Sequence, residues 1–330
     1  MFTFDMAAFE LIVRELPLAR HGATVLLNLS VAIAVGASAT MWWTTRTASD
    51  WARGRACAVR RVGLVALAVA LVASAVALWL DAATMAEVPL AQAAQAARLM
   101  LSSTHMGLAW TIGMGALVLA MAAMAATAAS ASARPGRRER TLVLTGLAAL
   151  AGFLYTRSMV SHASKDGDFS FLMLADWLHL ILICLWVGEV IVSGLVVLAC
   201  SPGALRENRH DCARYVESLS RSATIALVGI VATGVFNAWR NLGGVSALVG
   251  DAYGVTLLIK LALVLGAVLL GGANRFVVMP GLIAALRSGD PGSDKAMHRF
   301  AHILRTEAVV LVAVLFTAAI LSATSPPTAG

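Results

Sequence analysis

Long stretches of apolar residues recur along the whole chain, separated by short polar and charged segments. Each stretch is close to the roughly 20 residues that an α-helix needs to cross a bilayer. The stretches are too long and too continuous for the alternating pattern of membrane barrel strands. The pattern predicts an all-α polytopic membrane protein with eight transmembrane helices. The predicted spans cover residues 21–43, 62–82, 99–129, 141–163, 171–200, 222–242, 253–277 and 303–324.

Positive charge is concentrated in alternate connecting segments. Of the 25 Lys and Arg residues, 18 lie in segments 44–61, 134–140, 201–221 and 275–305, whereas the loops between these segments carry almost none. Basic loops of inner-membrane proteins face the cytoplasm. The sequence therefore predicts a multi-pass protein of the bacterial inner membrane with both termini in the periplasm. The net charge of +7 follows from this topology and does not indicate nucleic-acid binding.

The composition agrees with a protein whose solvent is the lipid bilayer. The chain is 59% hydrophobic and 13% charged, whereas soluble domains are about half apolar and about a quarter charged. The four cysteines do not suggest a disulfide framework. We expect one integral membrane domain with three parts. An amphipathic N-terminal lead-in occupies 1–20, helices 1–3 with their cytoplasmic loops occupy 21–140, and helices 4–8 occupy 141–330.

A faint internal repeat relates the third and seventh predicted spans. Residues 104–120 and 251–267 share a glycine near their start and an aliphatic tail. Four helices in each half would make the halves parallel repeats, because an even number of spans preserves orientation. Chance similarity between Gly-rich and Leu-rich helices explains the same pattern equally well.

Three histidines are predicted at similar depth on consecutive spans. His105 is expected about two turns inside the third span, His162 at the periplasmic end of the fourth, and His179 about two turns inside the fifth. Ionisable residues inside membranes are costly and usually functional. Alternatively, each imidazole simply bonds a carbonyl of a neighbouring helix.

The residues around these histidines favour copper as the ligand. Imidazole binds copper well, and thioether sulfur selects Cu(I). Met106 follows His105, and Met159 precedes His162 by three residues, so both are candidate auxiliary ligands. Neutral imidazole is the form that binds metal, so affinity should fall as the pH drops through about 6.5.

Other polar residues are weaker candidates for the same site. Glu189 lies deep in the fifth span without an obvious basic partner, so it is either protonated and hydrogen-bonded or part of an ion or proton path. His21, at the start of the first span, is a further candidate ligand or an interfacial residue. Arg157 and Lys260 are expected to form structural ion pairs with carboxylates. Motifs of hydrolases and ATPases are missing, so an enzyme is not predicted.

Several stretches resemble the CopD (PcoD) family of copper-resistance membrane proteins. They are THMGLAW at 104–110, SHA at 161–163, DWLHLILICLWVGEV at 176–190, and the segment from Tyr215 to Glu307 and the terminal SPP. The resemblance is densest over 141–330, the CopD-like core. It implies an inner-membrane protein that handles copper, often beside a periplasmic copper-binding partner of the CopC type. The family's histidines carry over to His105, His162 and His179, whereas Glu189 replaces a residue that is usually small.

The sequence thus predicts a copper-binding inner-membrane protein that accepts copper from the periplasm at a His/Met site. It would then transport copper across the membrane or otherwise support copper homeostasis and resistance. Two alternatives remain open. One is a membrane redox protein that binds haem b through a histidine pair, which a strong Soret band would reveal. The other is a non-transporting anchor or sensor for a periplasmic partner, which would bind copper without copper flux.

Overall fold

All secondary structure in the described part of the chain is helical, and eight stretches are long and apolar enough to cross a membrane, as predicted. The computed structural model describes residues 6–45, 49–129, 136–161, 164, 167–199, 207–241 and 252–323. The helices are α1 (Met6–Thr44), α2 (Asp50–Met85), α3 (Ala93–Ser103), α4 (His105–Ala129), α5 (Arg137–Met159), α6 (Phe171–Val192), α7 (Arg209–Asn241), α8 (Ala252–Ala273), α9 (Met279–Ser288) and α10 (Ser293–Ala323).

Two wide π-helical turns interrupt the regular helices. One, Ser193–Val197, extends α6, and the other, Asn274–Val278, joins α8 to α9. Pro280 explains the second turn, because a proline has no N–H for the carbonyl four residues earlier and its ring clashes with that carbonyl. In the first turn, the Arg305 side chain donates a hydrogen bond of 3.0 Å to the Gly194 carbonyl. This bond gives a partner to a backbone carbonyl at the end of the helix.

The sixth helix is the centre of the bundle. It packs against α1, α5, α7 and α10, and its second half is buried from Trp186 to Val192. Its crossing with α1 is a direct backbone contact at Gly36 and Gly188. A Cβ atom at either glycine would overlap the backbone of the opposite helix. Small residues at this crossing allow the close approach that membrane helices use to pack.

The third predicted span, 99–129, is wrong at its start. Thr104 adopts an extended conformation (φ −121°, ψ 151°) that separates α3 from α4. Its hydroxyl oxygen accepts a hydrogen bond of 3.0 Å from the Gly107 N–H, which is the capping interaction that begins a new helix. His105 is therefore the first residue of α4 and does not lie two turns inside a span.

The predicted end of the fourth span is also wrong. The α5 helix ends at Met159, and Val160 and Ser161 are not helical. The hydroxyls of Ser161 and Ser164 donate to the carbonyls of Ser158 and Ser161, at 2.9 and 2.8 Å. Such local side-chain bonds compete with helix continuation. The position of His162 relative to Met159 stays a prediction.

Several helices begin earlier than the hydropathy pattern indicates. The predicted starts at 62, 222 and 303 correspond to helices that begin at Asp50, Arg209 and Ser293. Ser49 caps the first of these, since its side chain accepts a bond of 3.2 Å from the Ala52 N–H. Hydropathy marks only the part of a helix inside the hydrocarbon, and charged turns can continue it into water. Likewise, the predicted lead-in at 1–20 is helical from its sixth residue and continuous with α1.

Candidate functional site

The first half of α6 holds a carboxylate and an imidazole one helical turn apart. Asp176 Oδ2 accepts hydrogen bonds from the hydroxyls of Ser158 at 2.9 Å and Ser161 at 3.1 Å, which fixes it against the end of α5. Lys260 on α8 acts electrostatically on this carboxyl group. The expected ion pair of Lys260 with a carboxylate stays a prediction.

His179 lies two turns into α6, as predicted, and faces α7. Its Nδ1 is 2.8 Å from the hydroxyl oxygen of Thr233. The ring also interacts with the backbone carbonyl of Ile230. A Cβ atom at Gly234 would lie 3.2 Å from the ring carbon Cε1, so glycine makes room for the imidazole. Metal-binding histidines are typically oriented in this way, with one ring nitrogen held by a neighbouring polar group and the other presented to the metal.

His105 is held at the start of α4 by the loop before α6. Its Nε2 is 2.8 Å from Oδ2 of Asp168, and the imidazole side chain is 49% exposed. The Tyr155 hydroxyl donates a bond of 2.6 Å to the carbonyl of Asp168, which anchors the loop on α5. A carboxylate bonded to one imidazole nitrogen raises the basicity of the ring as a metal ligand.

His162 lies outside the described residues. The chain is described on both sides of it, at Ser161 and Ser164, and Ser161 contacts Asp176 of α6. Among the described residues, no group of three or more His, Cys, Asp or Glu side chains is arranged to hold a metal ion. The predicted trio with His105 and His179 therefore remains a prediction.

The weaker candidate ligands have contacts of their own. Met106 is partly buried and packs with Leu78 and Met100, in an apolar cluster formed by α2, α3 and α4. Met159 is the last residue of α5. His21 adjoins Arg20, whose guanidinium pairs with Asp81 at 2.7 Å and so links α1 to α2. Their roles as copper ligands also remain predictions.

Glu189 is sealed inside the bundle, with 1% of its surface exposed. The indole Nε1 of Trp43 on α1 donates to its Oε1 at 2.9 Å, and Ser222 of α7 lies beside the carboxyl group. Its Oε2 has no hydrogen-bond partner within the described part of the chain. The hydrogen-bond partner of Glu189 is thus a neutral indole, which the sequence did not reveal.

Glu307 is a second buried carboxyl group, 3% exposed, and sequence reasoning gave it no role in the site. Trp186 donates from Nε1 to its Oε1 at 3.1 Å, which joins α6 to α10. A carboxyl group inside an otherwise apolar predicted span was the available signal, because such residues are rare and usually functional. Trp186 is thus a buried residue that also donates a hydrogen bond.

The arrangement places two imidazoles near the starts of α4 and α6 and two carboxyl groups in the interior of the bundle. His105 and His179 are each held by a neighbouring oxygen, Asp168 Oδ2 and the Thr233 hydroxyl. Glu189 in the second half of α6 and Glu307 on α10 each accept a hydrogen bond from a tryptophan. A cation that entered at His179 would find carboxyl groups deeper in the bundle.

Comparison with known proteins identifies the family. The model for the copper resistance protein D-like N-terminal domain matches residues 16–171, and the model for copper resistance protein D matches 213–321. Copper resistance protein D of Pseudomonas syringae pv. tomato is 32% identical over 266 residues, which are 76% of this chain and 77% of that protein. No solved structure is significantly similar. The resemblance drawn from the sequence is confirmed, and the chain belongs to the copper resistance protein D family.

Proposed function

We propose that this protein binds copper at the periplasmic ends of α4, α5 and α6 and moves it across the inner membrane. Family membership points to copper resistance or homeostasis, and the chain is a multi-pass membrane protein. The proposal adds a binding site, a direction of entry and a transport step to these findings. Copper is the cargo of this protein and is not a resident cofactor.

The observation that carries the proposal is the setting of His179. It is a part-buried imidazole inside a membrane span, held by Thr233 and accommodated by Gly234. An ordinary packing residue at this position would be apolar, because a polar side chain is costly in hydrocarbon. The oriented ring instead suits a ligand for copper, which imidazole binds well.

The proposed ligand set is completed by His105 and His162, with Met106 and Met159 as auxiliary soft ligands. Asp168 orients the first imidazole, and Ser161, the neighbour of His162, contacts Asp176 close to His179. Lys260 acts on both Asp176 and His179, and its positive charge opposes a bound cation. The negative charge of Asp176 offsets that opposition at the entrance.

Copper flux into proteoliposomes tests the proposal. Vesicles that contain the wild-type protein should accumulate copper from outside, and His179→Ala should lower the initial rate by about ten-fold or more, since loss of one ligand weakens metal binding strongly. His302→Ala is the matched control, because this histidine is exposed on α10. Copper binding without flux by the wild-type protein would contradict transport and favour the anchor or sensor. Equal flux for both variants would contradict the assignment of His179.

A further inference from the structure

A cavity of about 220 Å³ lies between α6, α7, α8 and α10. Most of its lining is apolar, and its polar lining residues are Ser220, Thr224, Asn274, Arg275 and Glu307, with Trp186 in its wall. A water molecule occupies about 30 Å³ in the liquid, so the volume suffices for several waters. The lining offers the polar partners that such waters need.

Glu307 is the one carboxyl group among the described residues that line this cavity. One of its oxygens is held by Trp186, and its carboxyl group lies against Gly271 of α8, where a Cβ atom would be 3.2 Å from Oε1. The side chain is therefore positioned by an indole on one side and a glycine on the other. No basic residue forms an ion pair with it in the described part of the chain, so its charge is not neutralised by a fixed partner.

Asn274 is a second polar residue in the lining, and its side-chain oxygen can accept a further hydrogen bond. Its Nδ2 donates to the Phe300 carbonyl at 3.2 Å, whereas its Oδ1 is buried and has no partner among the residues that the structure describes. Buried polar atoms almost always have a partner, and ordered water supplies one where protein does not. The orphaned oxygen in the lining indicates that the cavity contains water.

The other charged groups around Glu307 are engaged elsewhere. Arg275 donates to the Ser220 carbonyl and to the Thr224 hydroxyl, both at 2.7 Å, and so links the π-helical turn after α8 to α7 at the cavity wall. Arg305, on the same helix as Glu307, donates to the Gly194 carbonyl. On α6, Glu189 bonds Trp43, and the residues that α7 contributes to the lining are not titratable.

One face of α6 carries both His179, a proposed copper ligand, and Trp186, which lies in the wall of this cavity. Trp186 follows His179 by seven residues, which is two helical turns and about 10 Å along the axis. Residues at this spacing share one face of a helix. A cation leaving His179 along this face would therefore reach the level of Trp186 and Glu307.

We propose that Glu307 exchanges a proton with water in this cavity and thereby couples copper movement to proton movement. In the cation-free protein the carboxyl group is protonated. When copper reaches the level of Trp186, the O–H bond of Glu307 breaks, the carboxylate balances the positive charge, and the proton passes to cavity water. Departure of copper reverses the step. This inference rests on the proposed transport function and adds an energy source to it.

The test measures copper and proton movement in the same proteoliposomes, with a pH-sensitive dye inside and copper added outside. Wild-type protein should give a proton signal that requires copper, and Glu307→Gln should reduce that signal to the level of protein-free vesicles. Glu217→Gln is the matched control, because it removes a carboxylate from an ion pair with Arg287 at the surface. Its proton signal should equal that of the wild-type protein.

The outcomes separate this inference from the proposed function. Copper flux without a copper-dependent proton signal in the wild-type protein would overturn the coupling and leave transport standing. A wild-type signal that persists in Glu307→Gln would overturn the role of Glu307. If Glu307→Gln does not fold, Trp186→Phe keeps an aromatic ring, removes the hydrogen bond to the carboxyl group and should shift the pH dependence of copper flux. An unchanged pH profile would contradict the inference.

Discussion

The indole Nε1 of Trp43, which is partly buried, donates a hydrogen bond of 2.9 Å to Oε1 of the buried Glu189, and this bond joins α1 to α6. Close by, the two helices touch backbone to backbone at Gly36 and Gly188. The most buried carboxyl group of the bundle's central helix is therefore fixed beside its tightest helix crossing. We therefore expect the stability of the bundle to depend on this region.

Trp43→Phe should destabilise the protein, because it removes the donor that satisfies a carboxyl oxygen with no access to water. An unsatisfied buried group typically costs about 1–3 kcal/mol. Thermal unfolding in detergent measures the effect. Trp79→Phe is the matched control, since that indole donates to the Leu90 carbonyl at an exposed position. If the two variants unfold at the same temperature, the bond to Glu189 does not contribute to stability.

Gly188→Ala should be more damaging than any alanine substitution at an open glycine. The new methyl group would overlap the Ala32 carbonyl, and overpacking of this kind costs about 1–3 kcal/mol. Gly115→Ala serves as the comparison, because nothing lies within 4 Å of a Cβ atom there. It should be neutral or slightly stabilising, since alanine favours helix more than glycine does. Equal stability of the two variants would contradict the close crossing of α1 and α6.

Thr233→Val should weaken copper binding while it preserves the volume beside His179. Loss of the hydroxyl removes the group that orients the ring, and such outer partners are worth about 10–100-fold in metal affinity. A competition titration with a copper chelator measures the change. Thr317→Val is the matched control, because the Thr317 hydroxyl donates to carbonyls of its own helix. This variant should leave the copper affinity unchanged. Wild-type affinity in Thr233→Val would show that this bond does not support a ligand.

Much of the fold could be predicted from the sequence because membrane helices follow from the length of apolar runs. The number of spans and the placement of His179 two turns into α6 are confirmed. The break at Thr104 was missed because the short polar sequence before His105 lies within a longer apolar run. Its hydroxyl cap is a local signal that hydropathy does not register.

The contacts of the buried carboxyl groups could not be predicted. Trp186 and Glu307 are 121 residues apart, and Trp43 and Glu189 are 146 residues apart. Each pair depends on which helices pack against α6 and on which faces meet. Likewise, the pattern placed His105 inside a span, and only the separate start of α4 and the loop containing Asp168 explain its actual position.

Copper content of the purified protein tests the central claim most directly. After loading and removal of free copper, we expect His105→Ala, His162→Ala and His179→Ala each to retain far less copper than the wild-type protein. His302→Ala, on the exposed face of α10, should retain as much as the wild-type protein. If His105→Ala, His162→Ala and His179→Ala all retain as much copper as the wild-type protein, the proposed site is contradicted.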